Sequence, residues 1–111
     1  MGMDVFGKSG NYFRANCWSW RPIMAALQAS GASKHIDPDT FESMHYNDGS
    51  GVKSNEKANQ IAQDLEEWVS TVDWGTTGWS GDLDKEYYSV HKEHVLEWIK
   101  FLKECEGFEV C

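Results

Sequence analysis

Apolar residues recur every three or four positions in two stretches of the chain, and each stretch predicts an amphipathic helix. The first helix is predicted over about residues 54–72, with Ser54 as a suitable N-cap. Its apolar face consists of Ala58, Ile61, Ala62, Leu65, Trp68, Val69 and Val72. The second is predicted over about 90–106, with Val95, Trp98, Ile99, Leu102 and Cys105 on one face.

A third helix is predicted over about residues 22–30. Pro22 suits the first turn of a helix, and Gly31 is a typical C-terminal stop. Segment 12–20 is ambiguous in its pattern, but its aromatic residues favour an extended chain. The proline ring crowds the helical conformation of the residue before it, so no helix is expected to run through Trp20-Arg21-Pro22. Asp37-Pro38 indicates one more helix start, of at most two turns.

The two ends of the chain have the character of short strands. Residues 3–6 alternate in type and stop at Gly7, and residues 108–111 follow another glycine. Pairing these strands would remove exposed strand edges. The sequence therefore predicts an α+β fold, a single domain over 1–111 with about three helices packed on a small sheet formed by the N- and C-terminal strands.

Length and composition agree with one globular domain. The 111 residues are 41% hydrophobic and 25% charged, which is not a disordered composition. The absence of a long apolar run predicts no membrane span, and the first residues lack the pattern of a secretory signal. Three cysteines do not suggest a disulfide framework, so a cytoplasmic location is expected.

Charge is distributed unevenly along the chain. The net charge is −8, yet residues 1–35 hold four basic residues and one acidic residue, while the rest of the chain holds six and seventeen. A net negative charge repels phosphate, so direct nucleic-acid binding is not expected. The acidic part either simply solvates the surface or meets a basic partner protein.

Three segments resemble the pattern of a family of small bacterial and phage proteins that has no assigned activity. They are the opening MGMDVFGK…GNYFRANCWSWRPI, the loop HYNDGSG and the ending SVHKEHVLEWIKFLKECEGFEVC. Longer relatives insert paired cysteines with zinc-ligand spacing, but this chain has no Cys-x-x-Cys, so that metal site does not carry over. The resemblance implies a whole-chain domain of phage or bacterial type, and with it a location in a bacterial cell, and transfers no catalytic residue.

Two segments are candidate ligand-binding sites. In an extended chain, one face would present Arg14, Asn16, Trp18 and Trp20, with Arg21 beside them. Guanidinium groups pair with phosphate and indoles stack on flat ligands, so this segment suits a nucleotide-like molecule. The alternative is that the indoles fill the core and the arginines pair with acids. The second candidate is the loop with His45, Asn47 and Asp48, which otherwise serves as a turn and helix cap.

No spacing in the sequence indicates a cofactor, a metal or an assembled catalytic motif. His91 and His94 lie three residues apart, but zinc requires three or four ligands. The leading hypothesis is a small non-enzymatic binding protein, phage-associated and active in counter-defence, that holds a nucleotide-like ligand or blocks a host protein. The alternatives are an acidic inhibitor that mimics nucleic acid toward a basic protein, and a small enzyme acting on nucleotides with His45 and Asp48 as acid and base.

Overall fold

Three strands from the two ends of the chain form one antiparallel sheet in the order β2-β1-β3. The computed structural model describes residues 2–46, 48–76 and 78–111. The strands are β1 (Gly2–Gly7), β2 (Tyr12–Asn16) and β3 (Phe108–Val110). Side chains alternate between a buried and a solvent-facing side, as expected of a sheet covered on one face.

The predicted pairing of the terminal strands is confirmed. Val5 of β1 lies opposite Val110 of β3, and both are buried. Beyond that pair, Asp4 and Cys111 exchange backbone hydrogen bonds of 3.3 and 2.7 Å. The central strand β1 is therefore held on both sides, by the hairpin partner β2 and by the last strand of the chain.

The described residues form four helices beside the sheet, and this confirms the α+β class. They are α1 (Cys17–Ala29), α2 (Pro38–Ser43), α3 (Asn55–Val69) and α4 (Lys92–Glu104), with one turn of 3-10 helix at Ala32–His35. Of these, α1 and α4 pack on the buried face of the sheet, while α3 packs behind them. The helices α3 and α4 match the predicted ones to within a turn at each end. Ser54 caps α3 as expected, because its side chain accepts a hydrogen bond of 3.2 Å from the Lys57 N–H. None of the helices in these described ranges combines the length and the apolar run needed to cross a membrane.

The prediction that residues 12–20 are extended is wrong beyond Asn16. The helix α1 begins at Cys17, because the Asn16 side chain accepts a hydrogen bond of 2.9 Å from the Ser19 N–H and caps the helix. Pro22 lies inside α1 rather than at its first turn. Burial of one face of the helix outweighs the local preference of the residue before proline; that face consists of Trp20, Pro22, Ile23, Met24, Ala26 and Leu27.

The core is centred on Trp98 of α4, which is 0% exposed. The rings of Phe13 and Trp20 have centroids 4.9 and 5.6 Å from that of Trp98. The rings of Phe101 and Phe108 lie at 5.7 and 5.6 Å. The indole N–H of Trp98 has no hydrogen-bond partner within the described part of the chain, so ring packing alone holds this side chain.

The glycine-rich segment 49–52 covers the outer edge of β3. The backbone N–H groups of Phe108 and Val110 donate to the carbonyls of Val52 and Ser50, at 2.6 and 2.7 Å. A side chain at Gly51 would overlap the Phe108 carbonyl, which explains the glycine at this position. The segment thus acts as an irregular fourth strand, and β3 has a partner on each side.

Deleting residues 107–111 is expected to unfold the protein at room temperature or to lower its melting temperature by more than ten degrees. The deletion removes the buried side chains of Phe108 and Val110, each worth about 1.5–3 kcal/mol, from a total stability of about 5–15 kcal/mol. Thermal melting followed by circular dichroism measures the loss. The exposed substitution Glu109→Thr is the control and should stay within about 0.5 kcal/mol of the parent. A truncated chain that melts like the full one would contradict the topology.

Replacing Gly51 by alanine should lower the free energy of unfolding by more than about 2 kcal/mol, because the methyl group collides with the β3 backbone. Gly10→Ala is the matched control. It sits at a positive φ of 96° but in open space, so it should cost only about 1 kcal/mol of backbone strain. Urea denaturation measures both, and equal losses would show that segment 49–52 does not rest on β3.

Candidate functional site

The two tryptophans of α1 have opposite environments. Trp20 is 1% exposed, and its indole N–H donates to the Met44 carbonyl at 2.9 Å. Trp18 is 50% exposed. Residues two apart on a helix point in different directions, so the helix that begins at Cys17 separates the pair that an extended chain would have kept together. The expectation that both indoles share one face is therefore wrong.

Arg14 and Asn16, two other predicted residues of this segment, also have surroundings different from those of Trp20. Arg14 projects from the solvent-facing side of β2, where its Nε lies 3.8 Å from Asp4 Oδ1. The same Asp4 carboxylate accepts a hydrogen bond from the Tyr12 hydroxyl, which raises the pKa of that phenol. Asn16 serves as the cap of α1. Neither side chain faces the indole of Trp20 in the core.

Trp18 and Arg21 join two tyrosines from the loop before α4 in an exposed cluster, here called the Trp18 patch. The ring centroids of Tyr87 and Tyr88 lie 6.4 and 5.5 Å from that of Trp18. The guanidinium carbon of Arg21 lies 5.5 Å from the Tyr88 ring centroid, within the range of a cation–π contact. Tyr87 and Trp18 are both exposed, so the patch presents two free aromatic surfaces.

A short turn positions the two tyrosines and surrounds them with acids. The backbone N–H groups of Tyr87 and Tyr88 donate to the Asp84 carbonyl, at 3.1 and 2.8 Å. Asp82, Asp84 and Glu86 are exposed in this turn together with Lys85, so the three acids and one base give it a net charge of −2. The patch therefore combines aromatic faces, one arginine and an acidic rim.

Next to the patch, a cleft of about 180 Å³ brings the two predicted segments together. Cys17, Trp20 and Arg21 of α1 line one side, and His45 and Tyr46 line the other, with Gly2 and Met3 at the end of β1. Arg21 is shared by the cleft and the Trp18 patch. Of the residues predicted from the sequence, the cleft unites Trp20, Arg21 and His45.

In the loop that begins at His45, the side chains of His45 and Asp48 form hydrogen bonds with nearby backbone groups. His45 Nδ1 lies 3.1 Å from the carbonyl oxygens of both Phe41 and Glu42, and since a carbonyl only accepts, this nitrogen is the donor. Asp48 accepts a hydrogen bond of 3.1 Å from the Ser50 N–H, and interaction with the Ser50 side chain, together with this backbone contact, lowers the pKa of its carboxyl. Asn47, the other predicted residue of this loop, lies outside the described residues.

The metal-ligating side chains of the described residues do not come together in one place. No group of three His, Cys, Asp or Glu side chains is arranged to hold a metal ion in those ranges. His94, the second histidine of the predicted pair, instead contacts the Arg14 carbonyl through Nε2 at 3.1 Å. Burial raises the pKa of the Cys105 thiol, which keeps it protonated at neutral pH and unsuited to act as a nucleophile.

Sequence reasoning missed the contribution of Tyr46, Tyr87 and Tyr88. The two loop tyrosines are separated from Trp18 by about seventy residues of chain, and no periodic pattern connects them. Their proximity follows from the docking of α4 against β2 and α1. An excess of aromatic residues, 14% of the chain, was the only signal in the sequence.

Comparison with known proteins gives no assignment: no protein-family model, no curated protein and no solved structure matches this chain.

Proposed function

We propose that this protein binds and blocks another protein, and that the Trp18 patch makes the central contact. The observation that carries the proposal is the half-exposed indole of Trp18, clustered with Tyr87, Tyr88 and Arg21. Tryptophan, tyrosine and arginine are the residues most often found to dominate the energy of protein interfaces. An exposed tryptophan has a large apolar area that a partner surface would remove from water.

The size of the cleft favours a protein over a nucleotide-like ligand. Sites for small molecules usually enclose about 300–1,000 Å³. The cleft beside Arg21 has about 180 Å³ and suits a single side chain of a partner instead. An open aromatic patch beside a small cleft is the arrangement expected for a flat contact with one inserted anchor residue.

Charge suggests the character of the partner. The acidic rim of the patch and the net charge of −8 complement a basic surface and would speed its encounter with this chain. The proposal therefore shares a basic partner with the acidic-inhibitor hypothesis. It differs in assigning most of the binding free energy to contacts of the Trp18 patch rather than to charge. The biological setting, a phage protein acting against a bacterial defence protein, rests on the sequence resemblance alone.

Replacing each of the two tryptophans of α1 by alanine is expected to change the free energy of unfolding by different amounts. Trp20→Ala removes a core ring and should lower the free energy of unfolding by about 3–5 kcal/mol. Trp18→Ala removes a half-exposed ring and should cost less than about 1 kcal/mol. Denaturant unfolding followed by circular dichroism measures both, and a Trp18→Ala variant that unfolds would assign this residue to the core.

Binding is tested with the intact protein immobilised and exposed to a bacterial lysate. Proteins retained by the parent are expected to be lost with Trp18→Ala and retained with Leu96→Ala, which removes an exposed apolar side chain elsewhere. A captured protein is then purified and titrated against the same three forms. We expect Trp18→Ala to weaken the complex by about 2 kcal/mol or more, as truncation of a central interface residue does.

Two results would contradict the proposal. One is a captured protein whose affinity is unchanged by Trp18→Ala. The other is saturable quenching of the intrinsic fluorescence by a nucleotide in the absence of any captured protein, which would favour the nucleotide-holding alternative. Repeating the titration at several salt concentrations separates charge attraction from aromatic contacts, because a purely charge-driven complex weakens steeply with ionic strength.

A further inference from the structure

The strand β2 lies at the open edge of the sheet. The Gly7 N–H donates to the Asn11 carbonyl at 2.9 Å, and hydrogen-bonded pairs alternate along an antiparallel ladder. By this alternation Phe13 and Ala15 bond to β1, while the backbone groups of Tyr12 and Arg14 point away from the sheet.

Only part of this edge is satisfied by the protein itself. The Arg14 carbonyl accepts a hydrogen bond of 3.1 Å from His94 Nε2. In the described part of the chain, no backbone partner is recorded for the Tyr12 N–H and carbonyl or for the Arg14 N–H. No proline interrupts β2, so nothing in the strand itself prevents another strand from pairing with it.

A groove of about 430 Å³ runs along this edge, between β2 and α4. The strand side is formed by residues 11–14, and the helix side by Glu97, Lys100, Phe101 and Glu104. The helix runs antiparallel to the strand, because His94 contacts Arg14 while the Phe101 carbonyl accepts a hydrogen bond from the Asn11 side chain. The groove therefore follows the first part of β2, residues 12–14, up to the contact between His94 and Arg14.

We propose that this groove takes an extended peptide segment of the partner, which adds to the sheet as a strand beside β2. The proposal rests on the proposed function, since it names the part of the partner that is bound. Strand addition at a sheet edge supplies affinity through main-chain hydrogen bonds, and side chains of the added strand fill the adjoining groove. The three residues of β2 that line the groove, 12–14, offer room for a paired segment of about 10 Å in length.

Charge complementarity identifies the peptide as basic. The helix side of the groove has two carboxylates, Glu97 and Glu104, against one ammonium group on Lys100. The Arg14 guanidinium on the strand side already lies beside Asp4. A second copy of this chain is a poorer occupant, because pairing would bring together two molecules that each have a net charge of −8.

The groove leads to the Trp18 patch. Trp18 lies two residues beyond the end of β2, and Tyr88 lies four residues before the start of α4. Because α4 runs antiparallel to β2, both positions are at the same end of the groove. A peptide that continues past the His94 contact at this end would approach the aromatic patch, where a lysine or arginine side chain gains cation–π contacts.

The test is selection of peptide binders from a random ten-residue library on the full protein, followed by titration against two variants at one position. Arg14→Ala removes the guanidinium and keeps the backbone N–H. Arg14→Pro removes both, and an N–H that points away from the sheet is one that an edge strand can lose without unfolding. We expect the selected peptides to be basic and to bind Arg14→Pro at least about tenfold more weakly than Arg14→Ala.

Several outcomes would overturn the proposal. These are equal affinity for the two variants, no saturable peptide binder, or a parent protein that is a dimer in solution and occupies the edge with its own strand. Peptides that lose affinity for Trp18→Ala but not for Arg14→Pro would support the proposed function and reject the strand pairing, so the two failures are distinguishable.

A second measurement covers the case in which circular dichroism shows Arg14→Pro to be unfolded. The selected peptide is then N-methylated at one amide at a time and titrated against the parent protein. An added strand directs alternate amides toward β2, so methylation should reduce the affinity at every second position and leave the others unchanged within about threefold. A uniform response along the peptide would overturn the proposal.

Discussion

Burial of the Trp98 indole is the interaction on which the rest of this structure depends. The surrounding rings come from β2, α1, α4 and β3, so one side chain connects both ends of the chain with two helices. Enclosing it requires that β3 lie on β1 and that Trp20 turn inward. With Trp20 inward, the helical geometry of α1 places Trp18 outward. The same packing that completes the core thus leaves one tryptophan in solvent.

Sequence reasoning succeeded where a pattern extends over many residues. The helices α3 and α4 carry their apolar period along several turns, and pairing the two terminal strands is a direct way to cover one edge of each. It failed at α1, because the conformational preference of the residue before Pro22 was given more weight than the ability of Asn16 to cap a helix. There the burial of a whole helix face decided the conformation, and that term depends on tertiary contacts.

The candidate site was predictable only in part. Arg21 and His45 belong to segments singled out for their chemistry, and the fold does place them around one cleft. The loop after His45 was expected to present polar groups to a ligand, whereas its Gly51 backbone packs on β3 and its Asp48 bonds within its own turn. Trp18 contacts Tyr87 and Tyr88, which lie far from it in the sequence, and a local sequence pattern cannot predict such a contact.

The segment that lies along β3 also determines how far this sheet can grow. A sheet with two open edges can accept a strand on each side and propagate into a fibre. Here segment 49–52 occupies the β3 side, so only the β2 side is open. Two copies of this sheet that paired through their β2 edges would close both edges, so edge-to-edge pairing of the sheet with itself ends at a dimer. The covered β3 edge in this way protects a chain that has exposed aromatic rings and an unpaired edge strand from open-ended polymerisation through its sheet.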